Sequence, residues 1–131
     1  MVGRVKSVEH SLSIAEAAER TGLSTHTLRY YERAGLMLAP VDRASSRHRR
    51  YHEHDIAWVE FLTKLRSTSM PIAQVREYVD LVRLGDGTTA ARLELLQRHR
   101  ASVAANLDDI SRALAAIDAK IAIYSKRSGN E

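Results

Sequence analysis

The residues of this chain with the most evident chemistry are basic and crowd into one short segment. From Arg43 to His52 stand Arg43, Arg47, Arg49 and Arg50 with His48 and His52, and no acid among them. A patch of this kind is either a solvated loop or the electrostatic footprint of a nucleic-acid contact. Other reactive constellations are scarce. His48, His52 and His54 are spaced by four and two residues, as converging imidazole ligands can be. Position 48 falls on a presumed ribbon and 52–54 at a helix start, so they read as a surface coincidence and no metal site is expected. Asp108 and Asp109 are adjacent, and neighbours on a helix point apart, so they read as solvated surface. There is no cysteine, which removes disulfides, thiolate metal sites, iron–sulfur ligation and thiol-based sensing. No Gly-rich phosphate loop or paired-carboxylate site is present, so neither catalysis nor a cofactor is expected.

The whole chain bounds the same answer. Its 131 residues carry a formal charge of +4, which favours an acidic partner. That length suits one domain, or one small domain with an extension. No stretch reaches 18 apolar residues, so no membrane span is expected. The first residues, Met1-Val2-Gly3-Arg4-Val5-Lys6-Ser7, lack the apolar run of a secretory signal, and a cytoplasmic location follows as the expectation.

The elements that must position the arginines are helical. Two prolines and six glycines punctuate the chain, and strand-like alternation is scarce. Residues 1–11 read as a flexible leader. Ser13-Ile14-Ala15-Glu16 is a capping box; the helix it opens buries Ile14, Ala17 and Ala18 and stops at Thr21-Gly22. Ser24 caps a second helix that runs through Thr27-Leu28-Arg29-Tyr30-Tyr31-Glu32-Arg33 to Gly35, a natural left-handed C′ residue. Two short helices joined by a glycine-containing turn are the layout of a helix-turn-helix, or of an ordinary αα-hairpin. Leu36 to Tyr51, with Pro40 and the Ser45-Ser46 turn, reads as a two-stranded ribbon carrying the arginines at its tip and on its return strand. A third helix spans about Glu53 to Ser67 with Ile56, Val59, Leu62 and Leu65 inward, and Asp55 in its first turn suits the helix dipole. Pro71 opens a fourth that buries Ile72, Val75, Val79 and Val82 and ends near Gly85. Asp86-Gly87 reads as a hinge.

From Thr88 the pattern changes. Leu93, Leu96, Arg100, Val103, Leu107, Ile110, Leu114, Ile117, Ile121 and Tyr124 alternate in spacings of three and four, a coiled-coil seam sustained over more than four heptads. At ~1.5 Å per residue such a helix extends on the order of 55 Å, and its narrow stripe needs a partner, most simply a second copy. Arg100 in the seam costs stability and fixes register or meets an acid across the interface. The expected fold is mainly α: a winged helix-turn-helix head over 12–85, then a long C-terminal coiled-coil dimerisation helix over 88–127. Leu96, Val103, Leu107, Ile110, Leu114, Ile117 and Ile121 are the expected dimer contacts.

In this order the elements resemble the MerR family of bacterial regulators, over roughly residues 12–125. Ser13-Ile14-Ala15-Glu16-Ala17-Ala18 with Thr21-Gly22-Leu23-Ser24 looks like the family's first helix and turn. Thr27-Leu28-Arg29-Tyr30-Tyr31-Glu32 with Gly35-Leu36 is similar to its recognition helix. Arg43 and His48-Arg49-Arg50-Tyr51 resemble the wing, and Met70-Pro71-Ile72 with Val75 and Tyr78 the fourth helix. Two positions depart from the pattern: Arg47-His48 where Gly-Tyr is common, and Ser69 where glycine often precedes the methionine.

The resemblance implies a homodimer on a pseudo-palindromic operator within a promoter, which it bends and untwists so that RNA polymerase engages both promoter elements. It places Thr25, His26, Thr27, Arg29 and Tyr30 at the major groove. Arg43, Arg47, Arg49 and Arg50 fall on phosphates, and Tyr51 either on DNA or in an anchor for the ribbon. One of Tyr30 and Tyr31 bonds a phosphate and the other packs. Metal-, aldehyde- and redox-sensing relatives rely on cysteines, and drug-sensing relatives carry a further C-terminal domain, whereas this chain ends seven residues after Tyr124. An apolar cleft between the fourth helix and the partner's coiled coil, lined by Trp58, Tyr78 and Tyr124, is the place for a small-molecule inducer; the other reading of these aromatics, at helical spacing, is core. The rival reading is an architectural, excisionase-like DNA-bending protein with the same wing, for which the sustained heptads would have no use.

Overall fold

The computed structural model describes residues 11–39, 42–43 and 49–129, with only the backbone of 42, 43 and 49. Helix α1 spans Ile14–Thr21, α2 Thr25–Arg33, α3 Glu53–Ser67, α4 Ile72–Arg83 and α5 Thr89–Gly129. A ribbon of β1, Asp42–Arg43, and β2, Arg49–Arg50, stands between α2 and α3. The chain divides into two compact units, Met1–Arg92 and Leu93–Glu131. The expected leader lies outside the described residues except for Ser11. So do Pro40, the Ser45-Ser46 turn, Arg47 and His48.

Local chemistry sets the boundaries in the first unit. The Ser13 side chain accepts from the Glu16 amide at 3.2 Å, and the Glu16 carboxylate accepts from the Ser13 amide at 2.8 Å. This reciprocal box satisfies two donors that a helix start leaves unpaired. It also holds the Glu16 carboxyl below its ordinary value, chiefly through the Ser13 backbone bond. Ser24 caps α2 by accepting from the Thr27 amide at 3.0 Å. Gly35, at φ 71°, ends it in a Schellman arrangement: its amide bonds Glu32 O and that of Leu36 bonds Tyr31 O.

Helix α3 ends the same way with the wrong residue. Ser69 takes the left-handed position at φ 73°, its amide on Arg66 O and that of Met70 on Leu65 O. A Cβ in that conformation costs roughly 1–2 kcal/mol that glycine avoids. Ser69→Gly is therefore expected to raise stability by about 0.5–1 kcal/mol after the entropy glycine adds to the unfolded chain, a rise of a few degrees in melting temperature. Thermal unfolding followed by circular dichroism checks this; an unchanged or lower midpoint would refute it.

The head's core is built from one face of each helix. Ala17 of α1, Leu28 and Tyr31 of α2, Ile56, Val59, Leu62 and Leu65 of α3, and Val75 and Val79 of α4 are buried together with Leu36, Met37, Tyr51 and Met70. The pair Arg20–Glu53, bidentate at 3.1 and 2.9 Å, ties α1 to the first turn of α3 across the surface. The Asp55 carboxylate accepts from the His52 amide at 2.9 Å, closing the start of α3. At Asp86-Gly87 a 3₁₀ turn, Asp86–Thr88, leads into α5, held by Thr88 Oγ1 on Gly85 O at 2.9 Å.

The second unit is the body of one helix. Helix α5 as a whole has 41 residues, about 60 Å of rise. Along the repeat of three and four, Leu107, Ile110, Leu114, Ile117, Ile121 and Tyr124 are between 56 and 65% exposed in the single chain. Arg100 is exposed too.

Candidate nucleic-acid interface

Helix α2 separates its residues by face at 100° per residue. Leu28 and Tyr31 turn inward, at 1 and 6% exposure, and fix the helix to the core. His26, Arg29, Tyr30 and Arg33 are exposed and recur at spacings of three and four, so they line one outward strip. Tyr30 is 40% exposed, its ring 6.2 Å from that of Tyr31. Of the two tyrosines, Tyr31 is the one that packs. Arg33 is the member of the strip that sequence reasoning missed, although its place four residues beyond Arg29 carried the signal. Thr25 and Thr27 are half-buried, and the Thr27 hydroxyl is already bonded to Ser24 Oγ at 3.0 Å.

Beside this helix the ribbon is antiparallel, with Asp42 opposite Arg50 and Arg43 opposite Arg49. A bridge between Leu12 and Tyr51 continues it, with backbone bonds of 2.6 and 2.7 Å. The register sets two of the wing's arginines at facing positions. Arg50 is half-buried; its guanidinium donates to Ser11 Oγ at 3.2 Å and to Ser11 O at 2.8 Å. It therefore ties the ribbon to the strand before α1 as well as adding charge.

Tyr51, expected either on DNA or as an anchor for the ribbon, takes the second place and leaves the set of DNA contacts: it is fully buried, and its hydroxyl donates to the Glu32 carboxylate. A phenol with its ring in the core and its one donor spent on a neighbouring helix anchors the ribbon and is not presented to a partner.

The other candidates separate. The rings of His52 and His54 stack at 5.6 Å, and no group of three or more potential metal ligands converges among the described residues. Trp58 donates to Leu36 O at 2.8 Å and stacks on Tyr78 at 5.8 Å; Tyr78 is half-buried, and burial raises its hydroxyl pKa. Tyr124, in the second unit, is exposed and lies under the Arg127 guanidinium. Asp108 pairs with Arg112 at 2.9 Å, one turn along α5. Among the described residues no helix is long and apolar enough to cross a membrane.

Two short capped helices, the second with a cationic outward strip, and a basic ribbon anchored beside them make a winged helix-turn-helix head of the DNA-binding class. Residues 12–81 match the family described as MerR HTH family regulatory protein. An HTH-type transcriptional regulator of Haemophilus influenzae is 32% identical over 112 residues, covering 86% of this chain and 82% of that protein. The HTH-type transcriptional regulator AdhR of Bacillus subtilis is 43% identical over 89 residues, 68% of this chain and 63% of AdhR. Among solved structures, HiNmlR, described as a MerR family regulator lacking the sensor domain, bound to promoter DNA, superposes with a TM-score of 0.83 at 30% identity, over 88% of this chain and 86% of its own. The chain belongs to the MerR family and is a DNA-binding transcriptional regulator of that type.

Proposed function

We propose that two copies of the chain pair through the α5 seam and bind a pseudo-palindromic operator within a promoter, one α2 strip in each of two successive major grooves. The observation that carries this reading is the exposed strip His26-Arg29-Tyr30-Arg33 on a helix whose other face is locked in the core. Arg29 reads a base edge or grips the phosphate beside it, and Tyr30 bonds a phosphate through its hydroxyl. Thr25 and His26 stand at the positive end of the helix, with Thr27 held by the Ser24 cap. Arg43, Arg47, Arg49 and Arg50 neutralise phosphates on the flank and fix register without carrying sequence information. Twofold pairing requires two half-sites about one helical turn apart. Holding both at once deforms the DNA between them, at a cost of a few kcal/mol. RNA polymerase is the partner such deformation serves, in the cytoplasm, with head over 12–85 and pairing helix over 88–127 as the functional parts. With no cysteine in the chain, thiolate coordination of a soft metal has no part in this reading.

The test is gel-shift binding to the protein's own upstream DNA across a salt series. Each phosphate contact contributes about 0.9 to the slope of log K against log salt. Arg49→Ala with Arg50→Ala is expected to flatten that slope by about 2–4 for a dimer and to weaken binding to all sequences alike. An unchanged slope would remove the wing from the interface. Footprints clustered away from any palindrome would favour an architectural bender.

A further inference from the structure

The carbonyls that end the recognition helix do not face water alone. Arg76 of α4 donates to Ala34 O at 2.8 Å. Arg83, two turns further along α4, donates to Gly35 O at 2.8 Å and to Met37 O. Ala34 caps α2, Gly35 is its left-handed terminus and Met37 begins the connection to the ribbon. The last turn of a helix presents unpaired carbonyls at the negative end of its dipole, where a cation is favoured. Here both cations come from another helix, 42 and 48 residues away in sequence. Arg83 also lies 4.0 Å from Asp80 on its own helix, which steadies the guanidinium.

The helix that supplies these arginines is itself fastened at its far end. Thr88 Oγ1 donates to Leu81 O at 2.5 Å, and Arg92 donates to Gly85 O at 2.8 Å and to Thr88 Oγ1 at 3.1 Å. One set of hydrogen bonds thus fastens the first turn of α5 to the end of α4, and a second fastens the end of α4 to the end of α2.

We infer that Arg76 and Arg83 are positioning residues that fix the end of the recognition helix, and with it the angle at which the α2 strip meets DNA. The inference rests on the proposed role of α2 in operator binding. Neither residue touches DNA in this account; each acts by holding backbone that Arg29 and Tyr30 depend on. One guanidinium bridging Gly35 O and Met37 O joins the end of the recognition helix to the start of the wing connection, so both reading elements share one anchor. Both bonds leave one nitrogen, Nη2, whose two N–H groups divide between the carbonyls.

The experiment compares the full-length wild type with Arg83→Gln and, as a milder change, Arg76→Gln. Amide hydrogen exchange at Ala34, Gly35 and Leu36 is read first, without DNA. Exchange at these amides is expected to speed up about tenfold or more in Arg83→Gln, while amides in the middle of α3 keep their protection. The ratio of affinities for the upstream fragment and for random DNA is read second, with an expected fall of about tenfold while random-DNA affinity holds. A purely structural role would lower the melting temperature and both affinities together. Unchanged exchange at the three amides in both variants would overturn the inference whatever the DNA result. So would faster exchange with an unchanged affinity ratio. A wild type with no preference for its upstream fragment would instead overturn the functional reading, and with it the claim about angle, leaving exchange to decide whether the arginines hold the helix end.

Discussion

Arg29→Ala is expected to abolish specific operator binding while leaving the fold and the dimer intact. Arg29 sits on the outward strip of α2, exposed, one residue from the buried Leu28 that fixes the helix. Truncating it removes no core contact, so the unfolding free energy should stay within about 0.5 kcal/mol of wild type, the range for a surface change. The cost in binding is much larger. A bidentate arginine contact to a base is worth about 1–3 kcal/mol of discrimination, and a twofold dimer loses it twice. The expected loss is then about 2–6 kcal/mol, from roughly thirty-fold to more than ten thousand-fold in affinity. Binding to random DNA should weaken far less, because the wing charges are untouched. Gel shifts on upstream and random fragments at one salt concentration measure both. Wild-type affinity for the upstream fragment would sink the assignment, and an equal loss on both fragments would make Arg29 a phosphate contact.

The features of the head that were legible in the sequence are those decided within a few residues. Ser13 with Glu16, Ser24 with Thr27, and Gly35 at the end of α2 each act through bonds between positions at most five apart, and they set the helix boundaries. The long helix α5 and its apolar repeat were legible for the same reason, since a spacing of three and four is local arithmetic. What stayed hidden depends on residues far apart in the chain. The burial of Tyr51 follows from Glu32, 19 positions away, being there to accept its hydroxyl. Tyr30 and Tyr31 are chemically alike neighbours, and only the packing of α2 on the core decides which of them faces out. The hold of Arg76 and Arg83 on the end of α2 spans more than 40 residues and has no periodic signature at all. The wing lies between these cases: the two strands were legible from their flanks, whereas the bond from Arg50 to Ser11 reaches across 39 positions.

Leu114→Asp is expected to convert the protein to monomers and to remove operator binding with them. In the single chain Leu114 is 56% exposed, with Ile110 one turn before it and Ile117 and Ile121 beyond on the same stripe. A row of branched apolar side chains left in water from Leu107 to Ile121, about 21 Å of helix, is stable only when covered, and burying each adds about 1.5–3 kcal/mol. An aspartate at the centre forfeits that gain in both chains and carries two like charges into a desolvated seam, at a further cost of several kcal/mol. Ile123 supplies the control. It is 45% exposed, comparable to the seam residues, but falls between Ile121 and Tyr124 off the heptad stripe. Ile123→Asp should therefore leave the dimer unchanged. Analytical ultracentrifugation at micromolar concentration separates the outcomes. A stable dimer in the Leu114 variant would place the pairing surface elsewhere. Dissociation in both variants would mean that α5 is covered all round, as in a bundle of more than two helices, and not along a single seam.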